Sequence, residues 1–87
     1  EVFAGSPIKR IGRDRFIRNV LNAIGNSGDA GMVEAARPHL IDPSPLVRGA
    51  AVWALSQLMS PVEFGAIREP DNDAEVADEW RLGAAAS

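Results

Sequence analysis

The stretch from Pro45 to Met59 constrains the fold most, because it is apolar on two sides at helical spacing. Val47, Ala51, Ala54, Leu55 and Leu58 form one stripe, and Leu46, Ala50 and Trp53 form a second on the far side. A helix with one apolar stripe lies on a core, whereas a helix with two is held between neighbours. Gly49, Ala50, Ala51 and Ala54 are small enough to let those neighbours come close, and Trp53 is the natural packing anchor toward the first helix of the chain. Ser44 at the N-cap and Pro45 at the first helical position mark the start. The pattern predicts the central helix of a helical stack.

The flanking sequence supplies the neighbours. A first helix is expected over about Arg13 to Ile24, with Phe16, Val20, Ala23 and Ile24 on its core face and Ile17 and Leu21 widening it. Arg15, Arg18, Asn19 and Asn22 fall on the opposite face. Residues 1–12 read as a lead-in punctuated by Ser6-Pro7 and Gly12, with Phe3, Ile8 and Ile11 pinning it to the domain. In Gly25-Asn26-Ser27-Gly28-Asp29, Gly25 or Asn26 suits the left-handed helix-ending position, and Asp29 suits the next N-cap.

A second helix over about Ala30 to Leu40 would bury Met32, Ala35, Ala36 and Leu40, with Pro38 shortening its last turn. Ser60-Pro61-Val62-Glu63 carries the spacing of a capping box and opens a short helix ending near Arg68. Asn72 to Glu75 has the same spacing and opens a fifth helix with Val76, Trp80 and Gly83 inward. Residues 84–87 carry no pattern.

The stripes recur. An offset of 31 lays Phe16, Val20, Ala23 and Ile24 on Val47, Ala51, Ala54 and Leu55, and an offset of 29 lays Val47 and Ala51 on Val76 and Trp80. A period near 30 with paired helices predicts an α-solenoid in which each unit packs only on its neighbours. The expected fold is all-α, with about five helices: a lead-in at 1–12 joining an upstream domain, and a helical repeat domain at 13–84.

Composition excludes several functions. Eighty-seven residues make one small domain, and 46% apolar content argues against disorder. The chain has no cysteine, hence no disulfide, thiol nucleophile or thiolate-held iron–sulfur cluster. His39 alone cannot make a conventional zinc site. No run is long enough for a membrane span, and no apolar segment near the start resembles a signal peptide. The first residue is not Met, which suggests a piece of a longer protein.

No catalytic constellation is apparent. Asp29, Glu34 and Asp42 lack partners placed for acid–base work, Gly25 to Gly28 lacks the phosphate-loop pattern, and His39 reads as a last-turn residue.

Charge is the remaining signal. The net charge is −3, but residues 1–58 carry seven basic side chains against five acidic ones, and residues 59–87 carry two against seven. Lys9, Arg10, Arg13, Arg15 and Arg18 stand within ten positions against one acid, Asp14. Arginine forks suit phosphate oxygens, so this cluster is a candidate backbone contact patch, with Asn19 and Asn22 as further hydrogen-bonding groups. A solvated face, or a docking surface for an acidic domain, fits the charge equally. Arg48, at the border of the central helix's apolar stripe, reads as a structural residue tying down a neighbouring turn.

Ser6-Pro7-Ile8-Lys9-Arg10-Ile11-Gly12-Arg13, then Phe16-Ile17-Arg18-Asn19-Val20 and Ala23-Ile24-Gly25-Asn26-Ser27-Gly28, resembles the C-terminal region of epoxyqueuosine reductases. So does Pro45-Leu46-Val47-Arg48-Gly49-Ala50-Ala51-Val52-Trp53-Ala54-Leu55, which alone would indicate only a HEAT-like repeat. The resemblance covers about residues 3–59 and is weaker over the acidic end. It implies a HEAT-like accessory domain of an iron–sulfur and cobalamin enzyme that reduces epoxyqueuosine in tRNA.

In that family the catalytic domain and two [4Fe–4S] clusters lie upstream, in the cytoplasm and without membrane attachment. The resemblance implies that this stretch holds no cofactor and is inactive alone. Its partners would be tRNA and the upstream domains of the same chain. Lys9, Arg10, Arg13, Arg15 and Arg18 become candidate tRNA phosphate contacts, with Asn19 in support.

Overall fold

The computed structural model of the chain describes residues 7–68 and 71–86. Those residues form helices α1 (Pro7–Ser27), α2 (Val33–Ala36), α3 (Pro45–Leu58), α4 (Pro61–Ala66) and α5 (Ala74–Ala86). Two 3₁₀ turns, Ala30–Met32 and Arg37–Ile41, flank α2. Helix α3 packs against α1 and α5, and the 30–41 segment and α4 also pack on it. The described residues are all-α with five helices, as expected.

The core follows from that arrangement. Helix α3 contributes Val47, Ala50, Ala51, Val52, Ala54 and Leu55. Leu21 and Ile24 join from α1, Ala36 from α2, Phe64 from α4, and Val76 and Trp80 from α5. Leu21, Leu55 and Phe64 are fully buried, each contributing about 1.5–3 kcal/mol by leaving water. Phe64 stacks at a tilt on Trp80, with ring centroids 5.1 Å apart. Trp53 and Leu58 are half-buried against the core, whereas Leu46 is 43% exposed.

Helix α1 differs from expectation at both ends and in phase. It begins at Pro7, within the expected lead-in, where the ring's fixed φ and missing N–H suit a first helical position. It ends at Ser27, and Gly28, at φ +67°, makes the left-handed exit instead of Gly25 or Asn26.

Among its described side chains the buried residues are Asp14, Leu21, Ile24 and Gly25, with Ile17 packed beside them. Phe16 is 69% exposed, Val20 is 41% exposed, and Ala23 is exposed. Two apolar stripes lie side by side on α1, one residue apart, and the wheel alone does not choose between them. Gly25 chooses. A Cβ there would overlap the Trp53 ring and lie 3.0 Å from Ala54 Cα, so α1 turns this bare position onto α3. The offset from α1 to α3 is therefore 30 rather than 31: Ile17, Leu21 and Ile24 match Val47, Ala51 and Ala54.

The second expected helix is a broken one. Asp29 Oδ1 accepts from Gly31 N at 2.8 Å and caps a 3₁₀ turn, and Pro38 sits at the start of the other. Ala36 is buried, and Met32 and Leu40 pack on the core, but Ala35 is exposed. The capping box is present: Ser60 Oγ accepts from Glu63 N, and Ser60 N donates to Glu63 Oε1, both at 3.2 Å. Helix α4 stops at Ala66, short of Arg68.

Helix α5 is capped by Asp73 rather than Asn72. Asp73 Oδ1 accepts from Glu75 N and Val76 N at 2.9 and 3.2 Å. Val76, Trp80 and Gly83 face inward as expected. Gly83 permits close approach, since a Cβ there would lie 2.8 Å from Phe64 and Ser56.

The entries to α3 and α5 share one device. Asp42 Oδ1 accepts from Ser44 N at 2.9 Å, and Asp71 Oδ1 accepts from Asp73 N at 2.8 Å. Each aspartate folds the chain into a tight turn ahead of its helix. Ser44 occupies the N-cap of α3, but its side chain makes no capping bond.

Candidate nucleic-acid interface

The basic cluster lies along α1, and helical geometry divides it. Lys9 and Arg10 belong to the first turns of α1, and their side chains lie outside the described ones. Arg13 projects from one edge of the helix. Arg15, Arg18 and Asn19 project from the other, with Asn22 and Asn26 continuing that edge.

Arg13 is held by two acids. Its Nη1 is 2.7 Å from Asp14 Oδ1 and its Nη2 is 2.6 Å from Asp42 Oδ2. Asp42 is buried, with a side chain only 5% exposed, although it lies 29 residues away in sequence. The Arg13 hydrogen bond holds the Asp42 carboxyl below its ordinary range, against the opposing effect of burial, and the Ser44 N–H adds to the lowering. Arg13 in turn holds its proton more firmly than an isolated guanidinium, first through Asp42 and then through Asp14. The groove beside this pair, about 460 Å³, is lined by Arg13, Asp14, Pro43, Ser44 and Pro45. Two carboxylates against one guanidinium make it a poor seat for an anion.

Arg15 and Arg18 stand differently. Arg15 is exposed and makes no ion pair among the described residues. Arg18 is half-buried, its Nη2 lies 3.4 Å from Asn19 Oδ1, and its Nε is buried without a hydrogen-bond partner among the described residues. With Asn19, Asn22 and Asn26 they form an edge that carries two positive charges, amide donors and acceptors, and no carboxylate. Such an edge can accept phosphate oxygens without first displacing an acid.

Arg48 is at the offset of 30 from Arg18, and its role is structural. Nε and Nη2 reach Asp71 Oδ2 and Oδ1 at 2.9 and 3.2 Å, while Nη1 donates to the carbonyls of Asp42 and Pro43 at 2.8 and 3.2 Å. The Arg48 hydrogen bond is what most lowers the Asp71 carboxyl, with burial opposing and the Asp73 N–H assisting. Arg18 makes no such ion pair among the described residues, and Asp42, the aspartate ahead of α3, pairs with Arg13.

Asn26 was assigned by the sequence to the helix end, not to this edge. Only the extra turn of α1 places it there. The pairing of Arg13 with Asp42 carried no local signal at all.

The chain's residues do not fit an iron–sulfur cluster. There is no cysteine, and no group of three or more His, Asp or Glu side chains gathers among the described residues. Among them, no helix is long and apolar enough to cross a membrane.

Comparison with known proteins then gives the context. The chain is 43% identical over 61 residues to an epoxyqueuosine reductase of Alicycliphilus denitrificans (strain DSM 14773 / CIP 107495 / K601), covering 61% of this chain and 17% of that protein. It is 41% identical over 54 residues to an epoxyqueuosine reductase of Xanthomonas campestris pv. campestris, covering 61% of this chain and 15% of that protein. No family model matches, and no solved structure matches. The chain is thus similar to epoxyqueuosine reductases over about 60 residues and spans about a sixth of their length.

Proposed function

We propose that this chain is a HEAT-like accessory domain of an epoxyqueuosine reductase-like protein and contributes to tRNA binding through the cationic edge of α1. The observation that carries the reading is the similarity to two epoxyqueuosine reductases over 61 and 54 residues. The acid-free edge bearing Arg15, Arg18 and Asn19 supports it. Arg13, held between Asp14 and Asp42, serves the fold first, and Lys9 and Arg10 remain candidates by sequence alone.

On this reading the chemistry, with its iron–sulfur clusters and cobalamin, belongs to upstream domains of a cytoplasmic protein. This domain adds phosphate contacts that hold tRNA, and the boundary between them falls near residues 1–12. The test is the tRNA affinity of the full-length protein as a function of salt, with Arg15 and Arg18 both changed to Ala. Weaker binding and a shallower salt dependence are expected. An unchanged affinity and slope would remove both residues from the interface.

A second reading, a docking module without nucleic-acid contact, is favoured by one observation: Phe16 and Val20 stand exposed on α1. The two readings use different faces of that helix.

A further inference from the structure

We infer that the seam between α1 and α3 is a nucleotide subsite, in which Arg18 takes a phosphate and the open part of the Trp53 indole meets an unpaired base of the same RNA. The inference rests on the tRNA reading above and carries it from the edge of α1 onto α3.

Helical period places the two residues on one seam. Arg18, Asn22 and Gly25 stand at i, i+4 and i+7, so they form a single stripe of α1. Gly25 fixes where that stripe lies, because its Cβ position falls on the Cζ3–Cε3 edge of Trp53 and 3.0 Å from Ala54 Cα. The stripe therefore runs along α3. Arg18 stands seven residues, about 10 Å, up the helix from the glycine that meets the Trp53 ring. A short reach of RNA backbone covers that distance.

Two donors on the seam lack partners. Arg18 Nε is buried and makes no hydrogen bond among the described residues, a condition that native structures rarely keep without a further group to accept from it. Arg18 Nη2 holds Asn19 Oδ1 only loosely, at 3.4 Å, so a phosphate that took the guanidinium fork would displace little. Trp53 is half-buried, with its benzo edge against Gly25. Its Nε1 makes no hydrogen bond among the described residues and is not buried. The indole is thus fixed along one edge and open at its polar one, which is a preformed surface for a planar ligand.

The ligand class follows from charge and shape. Neither residues 18–25 nor residues 46–57 contain an acid, so an anion meets no carboxylate from either helix along the seam. An RNA duplex keeps its bases stacked on one another and would bring only phosphates here. An unpaired nucleotide brings a phosphate and a free base together, the pair of groups that an arginine and an aromatic ring receive.

The experiment uses the full-length protein. A tRNA transcript carrying 5-iodouridine in place of uridine, irradiated in the complex, should attach to Trp53 through an unpaired nucleotide. Attachment only elsewhere in the protein, attachment through a paired nucleotide, or no attachment overturns the proposal. The Trp53→Leu and Trp53→Phe proteins are then titrated with tRNA and with a blunt RNA duplex. Trp53→Leu should weaken tRNA binding at least about fivefold and leave the salt slope unchanged, since stacking carries no charge. Trp53→Phe should restore most of the affinity, and duplex binding should stay within about twofold. Equal losses for both RNAs would mean that Trp53 serves packing alone, and they overturn the proposal, as does an unchanged affinity for tRNA. If Arg15→Ala with Arg18→Ala weakens tRNA binding while Trp53→Leu does not, this inference fails and the tRNA reading stands. If neither change has an effect, both fail.

Discussion

Arg48 grips Asp71 by two prongs, Nε to Oδ2 at 2.9 Å and Nη2 to Oδ1 at 3.2 Å, across 23 residues of chain. Both side chains are largely withdrawn from water, at 19% and 15% exposure. The remaining Nη1 ties down the Asp42 carbonyl, so one guanidinium fastens the turns ahead of α3 and α5. Arg48→Ala should cost about 2–4 kcal/mol, the range for breaking one member of a hydrogen-bonded, partly buried pair. Arg48→Lys should recover less than half of that, because an ammonium cannot form the fork. Urea denaturation of the three proteins checks both.

The close approach of α1 and α3 sets opposite expectations for two glycines in one helix. Gly25→Ala forces a methyl group into Trp53, and overpacking of this kind costs about 1–3 kcal/mol. Gly12, with nothing within 4 Å of its Cβ position, has room, and Gly12→Ala should stabilise by about 0.5–1 kcal/mol. Thermal melts of the two variants should move in opposite directions.

Acid should loosen the turns. The depressed carboxyls of Asp42 and Asp71 contribute stability that is complete above their unfolded pKa of about 3.9. That contribution is lost as pH falls through their lower folded values. The Asp42→Asn, Asp71→Asn protein should therefore be less stable at pH 7 and show a flatter decline below about pH 4. Glu79 has the opposite sign. Burial, with Asp78 adding to it, raises its carboxyl, so its charged form costs stability. Glu79→Gln should gain slightly at pH 7, and the gain should vanish as pH falls below the ordinary glutamate value of about 4.3. Melting temperatures from pH 7 to pH 3 give both curves.

The arginines of α1 should separate by phenotype. Arg13→Ala leaves buried Asp42 without its cation and should destabilise the fold, with any loss of tRNA binding following from that. Arg15→Ala should leave the melting temperature within about 0.5 kcal/mol equivalent of the parent, as exposed substitutions do. On the proposed function, it should reduce the salt slope of tRNA binding by about one unit. Parallel melting and tRNA titration would expose a reversed assignment.

What could be read from the sequence was local. Ser60 with Glu63, Asp29, and the proline opening α3 act within a few residues, and each does what its spacing predicts. The double-sided α3 was equally plain, because eight of its residues fall on two helical stripes. The phase of α1 was not, since Phe16-Val20-Ala23 and Ile17-Leu21-Ile24 are equally good helical stripes, and only Gly25 meeting Trp53 decides between them. Asn72 and Asp73 both look like caps. Asp73 wins because Asp71 has already turned the backbone to present it. Within the candidate site, the edge of Arg15, Arg18 and Asn19 was legible from the helical period, whereas the diversion of Arg13 depended on Asp42, far away in sequence.

The position of α3 between α1 and α5 has a consequence for how the molecule breathes. When α1 lifts away, α3 keeps its contacts with α5, and the converse holds, so either flank can open while the rest persists. Only disruption of α3 severs both. Amide protons near Ala51 and Leu55 should therefore exchange through complete unfolding, while those of the flanking helices exchange earlier through partial opening. A protease would find its first cuts at the two edges of the stack and its last in the middle.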